Sequence, residues 1–152
     1  MSTPVYGKQY VRFAETLVFD DQEALQFRLV QDTGIAAAST PTGVYATTIA
    51  AGEVVGVNQF SIPALATADA VEIDAEPQSS RLGMVANSGL LLIEADATNT
   101  PTVGTAIEAT PEGLATDGNG GTDVAITYAG GDLLVREVLS IGGTPFVLVH
   151  FV

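Results

Sequence analysis

From residue 43 to the end of the chain, short apolar runs alternate with groups of Gly, Pro, Asn, Asp and Thr. Residues 70–74 show the strict apolar and polar alternation of a half-buried strand, and no stretch carries a long helical stripe. Val and Thr are frequent in these runs, and their branched Cβ atoms suit a pleated sheet. Short strands separated by frequent turn residues predict an all-β barrel or sandwich.

Four stretches of this pattern give specific expectations. Residues 25–29 alternate well enough to predict a strand. Residues 87–89 (Asn-Ser-Gly) separate two apolar runs and predict a hairpin turn. Residues 110–113 (Thr-Pro-Glu-Gly) have Pro second and Gly fourth, which fits a type I turn. Residues 146–152 are apolar at nearly every position, so we expect a closing strand that is buried on both faces or covered by another subunit.

The N-terminal segment differs from the rest of the chain in charge. It holds Lys8, Arg12 and Arg28 and is close to neutral, whereas the remainder carries almost all of the net negative charge. We therefore divide the chain into residues 1–30 and residues 31–152. The first part is either an arm that pairs with a neighbour or an ordinary first strand, and the second is a β-rich domain.

The composition of the chain excludes several classes of function. A chain of 152 residues that is 47% hydrophobic can bury a sizeable core in one domain. Its formal net charge of −13 disfavours binding to nucleic acids and to anionic membranes, because both require clustered Lys and Arg. The absence of Cys removes disulfides, thiolate metal sites and thiol catalysis. No segment has the apolar length of a membrane span or a secretory signal, so we expect synthesis in the cytoplasm without classical export.

One loop is a weak candidate for a metal site. Asp117, Asn119 and Asp123 lie among Gly residues, and hard cations bind several oxygens on such tight loops. The spacing departs from the known calcium loop, because no Glu follows at the required distance. Asp, Asn and Gly also form ordinary turns, so a plain connecting loop is the alternative.

Catalytic groups are scarce. Glu72 and Asp74 lie on one face of a predicted strand, where a solvated outer face is the usual role of such carboxylates. His150 is the only His and lies in the apolar closing run, so no Ser-His-Asp triad can be assembled around it with any specificity. We expect a protein that is not an enzyme and has no cofactor.

A resemblance to a known family is carried by four pieces of sequence. They are residues 50–57 (Ala-Ala-Gly-Glu-Val-Val-Gly-Val), 82–86 (Leu-Gly-Met-Val-Ala), 103–109 (Val-Gly-Thr-Ala-Ile-Glu-Ala) and 132–136 (Asp-Leu-Leu-Val-Arg). Their texture of apolar runs around Ala, Gly and acidic residues resembles the small capsid decoration, or cement, proteins of tailed bacteriophages. The resemblance covers about residues 40–150.

That resemblance implies a β-barrel or β-tulip-like body, often trimeric, that docks on the outer surface of the virion at junctions of the major capsid lattice. It implies a structural virion protein that stabilises the head by bridging capsomers, with the major capsid protein as partner and a homotrimer as its assembly. An N-terminal arm commonly reaches onto the capsid. The residues expected to bind the capsid from this arm are Tyr6, Lys8, Tyr10, Arg12 and Phe13. Those expected at the subunit interface are Phe146, Leu148 and Phe151.

Alternatives stay open for each of these assignments. The N-terminal segment also fits a disordered tail or a first strand, and the closing run also fits a core strand within one chain. A carbohydrate- or receptor-binding β module of a viral fibre or surface layer is the alternative function, and such modules show clustered exposed aromatic residues. A small hydrolase or isomerase with a carboxylate site is a third.

Overall fold

A computed structural model describes residues 9–19, 24–36, 43–46, 48–61 and 82–152 of the chain. These residues form strands and loops only, which confirms the prediction of the all-β class. None of them forms an apolar helix long enough to cross a membrane. The strands are β1 (Tyr10–Phe19), β2 (Leu29–Ala36), β3 (Gly43–Ala46), β4 (Gly52–Glu53), β5 (Gly56–Asn58), β6 (Leu82–Glu94), β7 (Glu108–Ala109), β8 (Ala115–Thr116), β9 (Ile126–Thr127), β10 (Val135–Ile141) and β11 (Thr144–Phe151).

One sheet contains seven of these strands in the order β1-β3-β2-β5-β6-β11-β10, with a further pairing between β1 and β6. All of its pairings are antiparallel except β1 with β3. The long strand β6 organises the sheet, because it pairs with β1, with β5 and with β11. Two small sheets, β4-β9 and β7-β8, complete the described structure.

The core lies on both sides of the paired strands β6 and β11. On one face, Leu91, Val149 and Phe151 belong to the main apolar cluster. On the other face, Leu92 and Leu148 pack together with Phe27. The closing strand is therefore buried on both faces by residues of its own chain, and each fully buried side chain of this size contributes about 1.5–3 kcal/mol to stability.

The hairpin predicted at residues 87–89 is wrong, because β6 runs through them without turning. Gly89 lies opposite Val11 of β1, and a Cβ atom on Gly89 would stand 2.1 Å from the carbonyl oxygen of Tyr10. The glycine thus permits a close approach of two strands. Gly within a strand often marks such a close approach of another backbone, and the sequence alone does not distinguish it from a Gly in a turn.

The strand predicted over residues 25–29 is also wrong, because the chain turns at Phe27 and β2 begins at Leu29. Phe27 has a positive φ of 64°, and its N–H donates to Asn58 O at 2.8 Å. Its own carbonyl accepts from Glu94 N at 2.8 Å, so its backbone joins β5 to β6. The ring packs edge-on against Phe146 with centroids 5.7 Å apart. Burial of the ring and both backbone bonds offset the strained conformation, which costs about 1–3 kcal/mol.

The type I turn predicted at residues 110–113 is confirmed as a turn. Gly113 N–H donates to Thr110 O at 2.9 Å, and the turn connects β7 to β8. The Thr110 hydroxyl also accepts from Leu114 N–H at 3.1 Å, which ties the turn to its own first residue.

Candidate functional site

Three of the residues predicted to bind a partner lie on β1 and within the main sheet. Tyr10 pairs with Leu90, and Phe13 pairs with Ser88, both on β6. Arg12 lies between them, on the same strand. The structure thus gives residues 10–19 as a strand of the sheet. Tyr6 and Lys8, like the carboxylates Glu72 and Asp74, lie outside the described residues.

The N-terminal half of β1 presents consecutive side chains to solvent. Tyr10 is 66% exposed and Phe13 is 54% exposed, and Val11 and Arg12 between them are exposed too. A regular strand would turn alternate side chains inward. The register of β1 on β6 shifts between Val11 and Phe13 and again between Phe13 and Ala14, and such bulges re-aim side chains. We call Tyr10, Val11, Arg12 and Phe13 the β1 surface.

The residue before β1 is hydrogen-bonded to the residue after β5. Gln9 Nε2 donates to Gln59 Oε1 at 2.9 Å, and Gln9 Oε1 accepts from Leu92 N–H at 3.0 Å. Gln9 precedes Tyr10 and Gln59 precedes Phe60, so the hydrogen bond connects the two chain segments that carry these exposed rings. Phe60 is 58% exposed. Phe60 is not among the residues predicted from the sequence, although a single aromatic residue between Gln and Ser is a signal that could have indicated it.

The electrostatics of the β1 surface centre on Arg12. Within the described part of the chain, no carboxylate forms an ion pair with it. Burial raises the pKa of Tyr128 above its ordinary value of 10.0, and the positive charge of Arg12 acts in the opposite direction. Arg12 is therefore an exposed cation without a described carboxylate partner, on a chain whose formal net charge is −13.

Tyr128 supports β6 behind the β1 surface. Its hydroxyl donates to the carbonyl oxygen of Asn87, in the part of β6 that pairs with Val11 and Phe13. Its ring packs edge-on against the buried Phe151, with centroids 4.9 Å apart. The irregular stretch of β6 is thereby anchored to the main core.

Arg28, the other described cation of the N-terminal segment, has a structural role. Its Nη2 lies 3.4 Å from Glu94 Oε2 in a partly buried salt bridge, and its Nη1 donates to Glu112 O at 3.3 Å. The side chain links the 110–113 turn to the end of β6. It does not contribute to the β1 surface.

The three residues predicted at a subunit interface differ in exposure. Leu148 and Phe151 are buried by side chains of the same chain, whereas Phe146 is half-buried beside Phe27. Of these three residues, only Phe146 is accessible enough to take part in a subunit contact. Its role between subunits stays a prediction.

The loop that holds the candidate metal ligands is closed by its own hydrogen bonds. Asp123 Oδ2 accepts from Thr116 Oγ1 at 2.7 Å and from Gly120 N–H at 2.8 Å. Asp117 Oδ1 accepts from Asn119 N–H at 2.9 Å. Across the described ranges, no group of three or more His, Cys, Asp or Glu residues is arranged to hold a metal ion. The arrangement is that of a hydrogen-bonded connecting loop.

Comparison with known proteins adds no relative: no protein-family model, no curated protein and no solved structure matches this chain.

Proposed function

We propose that the protein is a structural virion protein that binds the outer surface of the major capsid lattice through the β1 surface and stabilises the head by bridging capsomers. The observation that carries the proposal is the exposure of Tyr10, Val11, Arg12 and Phe13 side by side on one ordered strand. Exposed rings beside a guanidinium that pairs with no carboxylate among the described residues have the composition of binding hot spots, which are enriched in Tyr and Arg.

Magnitudes favour such a role for a repeated contact. Burying one aromatic or aliphatic side chain of the β1 surface contributes about 1.5–3 kcal/mol. Part of that gain is offset by the loss of rigid-body freedom on association, so a single contact of this size is weak. Repetition over a lattice, or within a trimer, converts weak contacts into strong overall binding. No chemical reaction is required for the protein to act.

A compact barrel or sandwich, tulip-like and assembled as a homotrimer, belongs to the same proposal. What supports it is that β1 pairs with β3 at one end while it pairs with β6 along its length. A strand with partners on both sides is the arrangement that closure of a sheet requires. The half-buried Phe146 then supplies an apolar position for a subunit contact.

Charge supports the external location. A net charge of −13 keeps the protein soluble and disfavours contact with nucleic acid inside a head. Against this background Arg12 offers a positive position to a carboxylate of the major capsid protein. The expected contact is therefore apolar at Tyr10 and Phe13 and electrostatic at Arg12.

The test is addition of purified protein to expanded heads that lack it. We expect saturable binding and a higher temperature of head disruption. Tyr10→Ala combined with Phe13→Ala should weaken binding by at least tenfold, which is about 1.4 kcal/mol. The matched control is Val103→Ala, because Val103 is 61% exposed and the next residue, Gly104, is hydrogen-bonded to Val135 of β10. For charge, Arg12→Ala is compared with Arg136→Ala, since Arg136 is also exposed.

Two results would reject the proposal. If the heads neither bind the protein nor gain thermal stability, the protein does not have the proposed capsid-stabilising function. If Val103→Ala and Arg136→Ala weaken binding as much as the substitutions at Tyr10, Phe13 and Arg12 do, the β1 surface is not the binding site.

A carbohydrate- or receptor-binding module of a viral fibre or surface layer is the second candidate, favoured by the exposed rings of Tyr10, Phe13 and Phe60. Aromatic faces stack on the apolar faces of sugars. A glycan array with the wild-type chain and the Tyr10→Ala, Phe13→Ala variant distinguishes the two. Glycan binding that this variant loses, together with no binding to heads, would favour the second candidate.

A further inference from the structure

The loop between β8 and β9 contains an exposed asparagine followed by glycine. Asn119 is exposed, and its backbone N–H donates to Asp117 Oδ1 at 2.9 Å. The next backbone N–H, that of Gly120, donates to Asp123 Oδ2 at 2.8 Å. This second hydrogen bond places a carboxylate directly on the amide nitrogen that could attack the Asn119 side chain.

We propose that Asn119 is a site of spontaneous deamidation and that Asp123 restrains the reaction. The Gly120 amide loses its proton to hydroxide, and the nitrogen attacks Cγ of Asn119. A new C–N bond closes a succinimide ring, the bond from Cγ to the side-chain nitrogen breaks, and that nitrogen leaves as ammonia with a proton from water. Water then opens the ring at either carbonyl, which leaves aspartate or isoaspartate at this position.

The restraint follows from the geometry around Asp123. Thr116 Oγ1 donates to Asp123 Oδ2 at 2.7 Å, so the carboxylate is held in place by a second bond. Loss of the Gly120 proton would put a negative nitrogen beside a carboxylate, and like charges at this distance disfavour each other's ionised form. The hydrogen bond also fixes the Gly120 nitrogen in the loop, which opposes its rotation toward Asn119.

The same geometry explains why a reactive pair occupies this position. A Cβ atom on Gly120 would lie 2.7 Å from Asp123 Oδ1 and 2.8 Å from Oδ2, closer than real Cβ atoms come to other atoms. Any larger residue would displace the carboxylate that closes the loop. Glycine at 120 therefore lets Asp123 close the loop in this position, and glycine is also the residue that leaves the attacking nitrogen least shielded.

The experiment follows deamidation of the full chain at mildly alkaline pH by mass spectrometry of proteolytic peptides, with aspartate and isoaspartate products separated chromatographically. Asp123→Asn keeps an acceptor for Gly120 but removes the charge, and Asp123→Ala removes both. We expect slow modification of Asn119 in the wild type and about tenfold faster modification in Asp123→Asn, the effect of one like charge at hydrogen-bond distance. Asp123→Ala should react at least as fast as Asp123→Asn.

Asn87, inside β6, is the internal control for unfolding. Acceleration at Asn119 with no change at Asn87 supports the proposal. Equal acceleration at both positions would trace the effect to loss of the fold and overturn the restraint. Equal or slower reaction of Asn119 in the Asp123 variants would overturn it as well, and an Asn119 that stays unmodified in every variant would overturn the site itself.

Discussion

Replacing Gly89 with Ala tests how β1 is held against β6. Gly89 has a φ of 122°, which L side chains rarely adopt, and an added Cβ would lie 2.1 Å from Tyr10 O and 2.7 Å from Arg12 N. Both contacts are with backbone atoms, which cannot rotate away as a side chain can. The strained conformation costs about 1–3 kcal/mol and the overpacking a further 1–3 kcal/mol or so. We therefore expect Gly89→Ala to lower the free energy of unfolding by about 2–6 kcal/mol.

Gly104→Ala is the matched control for this prediction. Gly104 also has a positive φ, 86°, but nothing lies within 4 Å of an added Cβ. It should lose only the backbone contribution, about 1–2 kcal/mol. The free energy of unfolding of both variants is measured by urea denaturation. Far-ultraviolet circular dichroism follows the unfolding, because the chain has no Trp whose fluorescence could report it. A loss in Gly89→Ala that matches that in Gly104→Ala within about 0.5 kcal/mol would refute the close approach.

Three further predictions concern the core, the partly buried salt bridge and a titrating group. Phe151→Ala should cost about 3–5 kcal/mol by denaturation, whereas the exposed Val103→Ala should stay within about 0.5 kcal/mol of wild type. Arg28→Met should cost only about 0.2–1 kcal/mol, and less in high salt, because the bridge to Glu94 is partly solvated; a loss independent of salt would contradict this. Burial raises the pKa of Tyr128 in the folded chain, so Tyr128 ionises first in the unfolded chain and the free energy of unfolding should fall above pH 10.0. Tyr128→Phe should reduce this alkaline loss of stability. An unchanged alkaline loss in Tyr128→Phe would contradict the role of Tyr128.

Local patterns predicted the parts of the fold that depend on local chemistry. The all-β class follows from short runs of Val and Thr between turn residues. The 110–113 turn follows from Pro and Gly at fixed places, and its hydrogen bond is local. The burial of the closing strand follows from a run that is apolar at nearly every position, because a strand with two apolar faces must be covered on both.

Contacts between distant parts of the chain decided what local patterns could not. The local sequence around Gly89 predicts a turn, because the backbone of Tyr10, which requires a glycine there, lies far away in sequence. Phe27 interrupts an alternating run because its backbone bonds to Asn58 and Glu94 outweigh local strand preference. The resemblance implies Tyr10, Arg12 and Phe13 as contact residues, but their exposure depends on register shifts that leave no trace in composition.

The order of β1 bears directly on how it would bind. A disordered arm loses conformational freedom when it docks, at about 1–2 kcal/mol for each backbone residue that becomes fixed. In β1, pairing with β6 has already fixed the backbone, while the rings of Tyr10 and Phe13 stay outside the core. Binding through this surface then requires little further ordering of backbone, so more of the buried area appears as affinity. Removing the rings should accordingly weaken binding with little effect on folding, whereas Gly89→Ala should impair both.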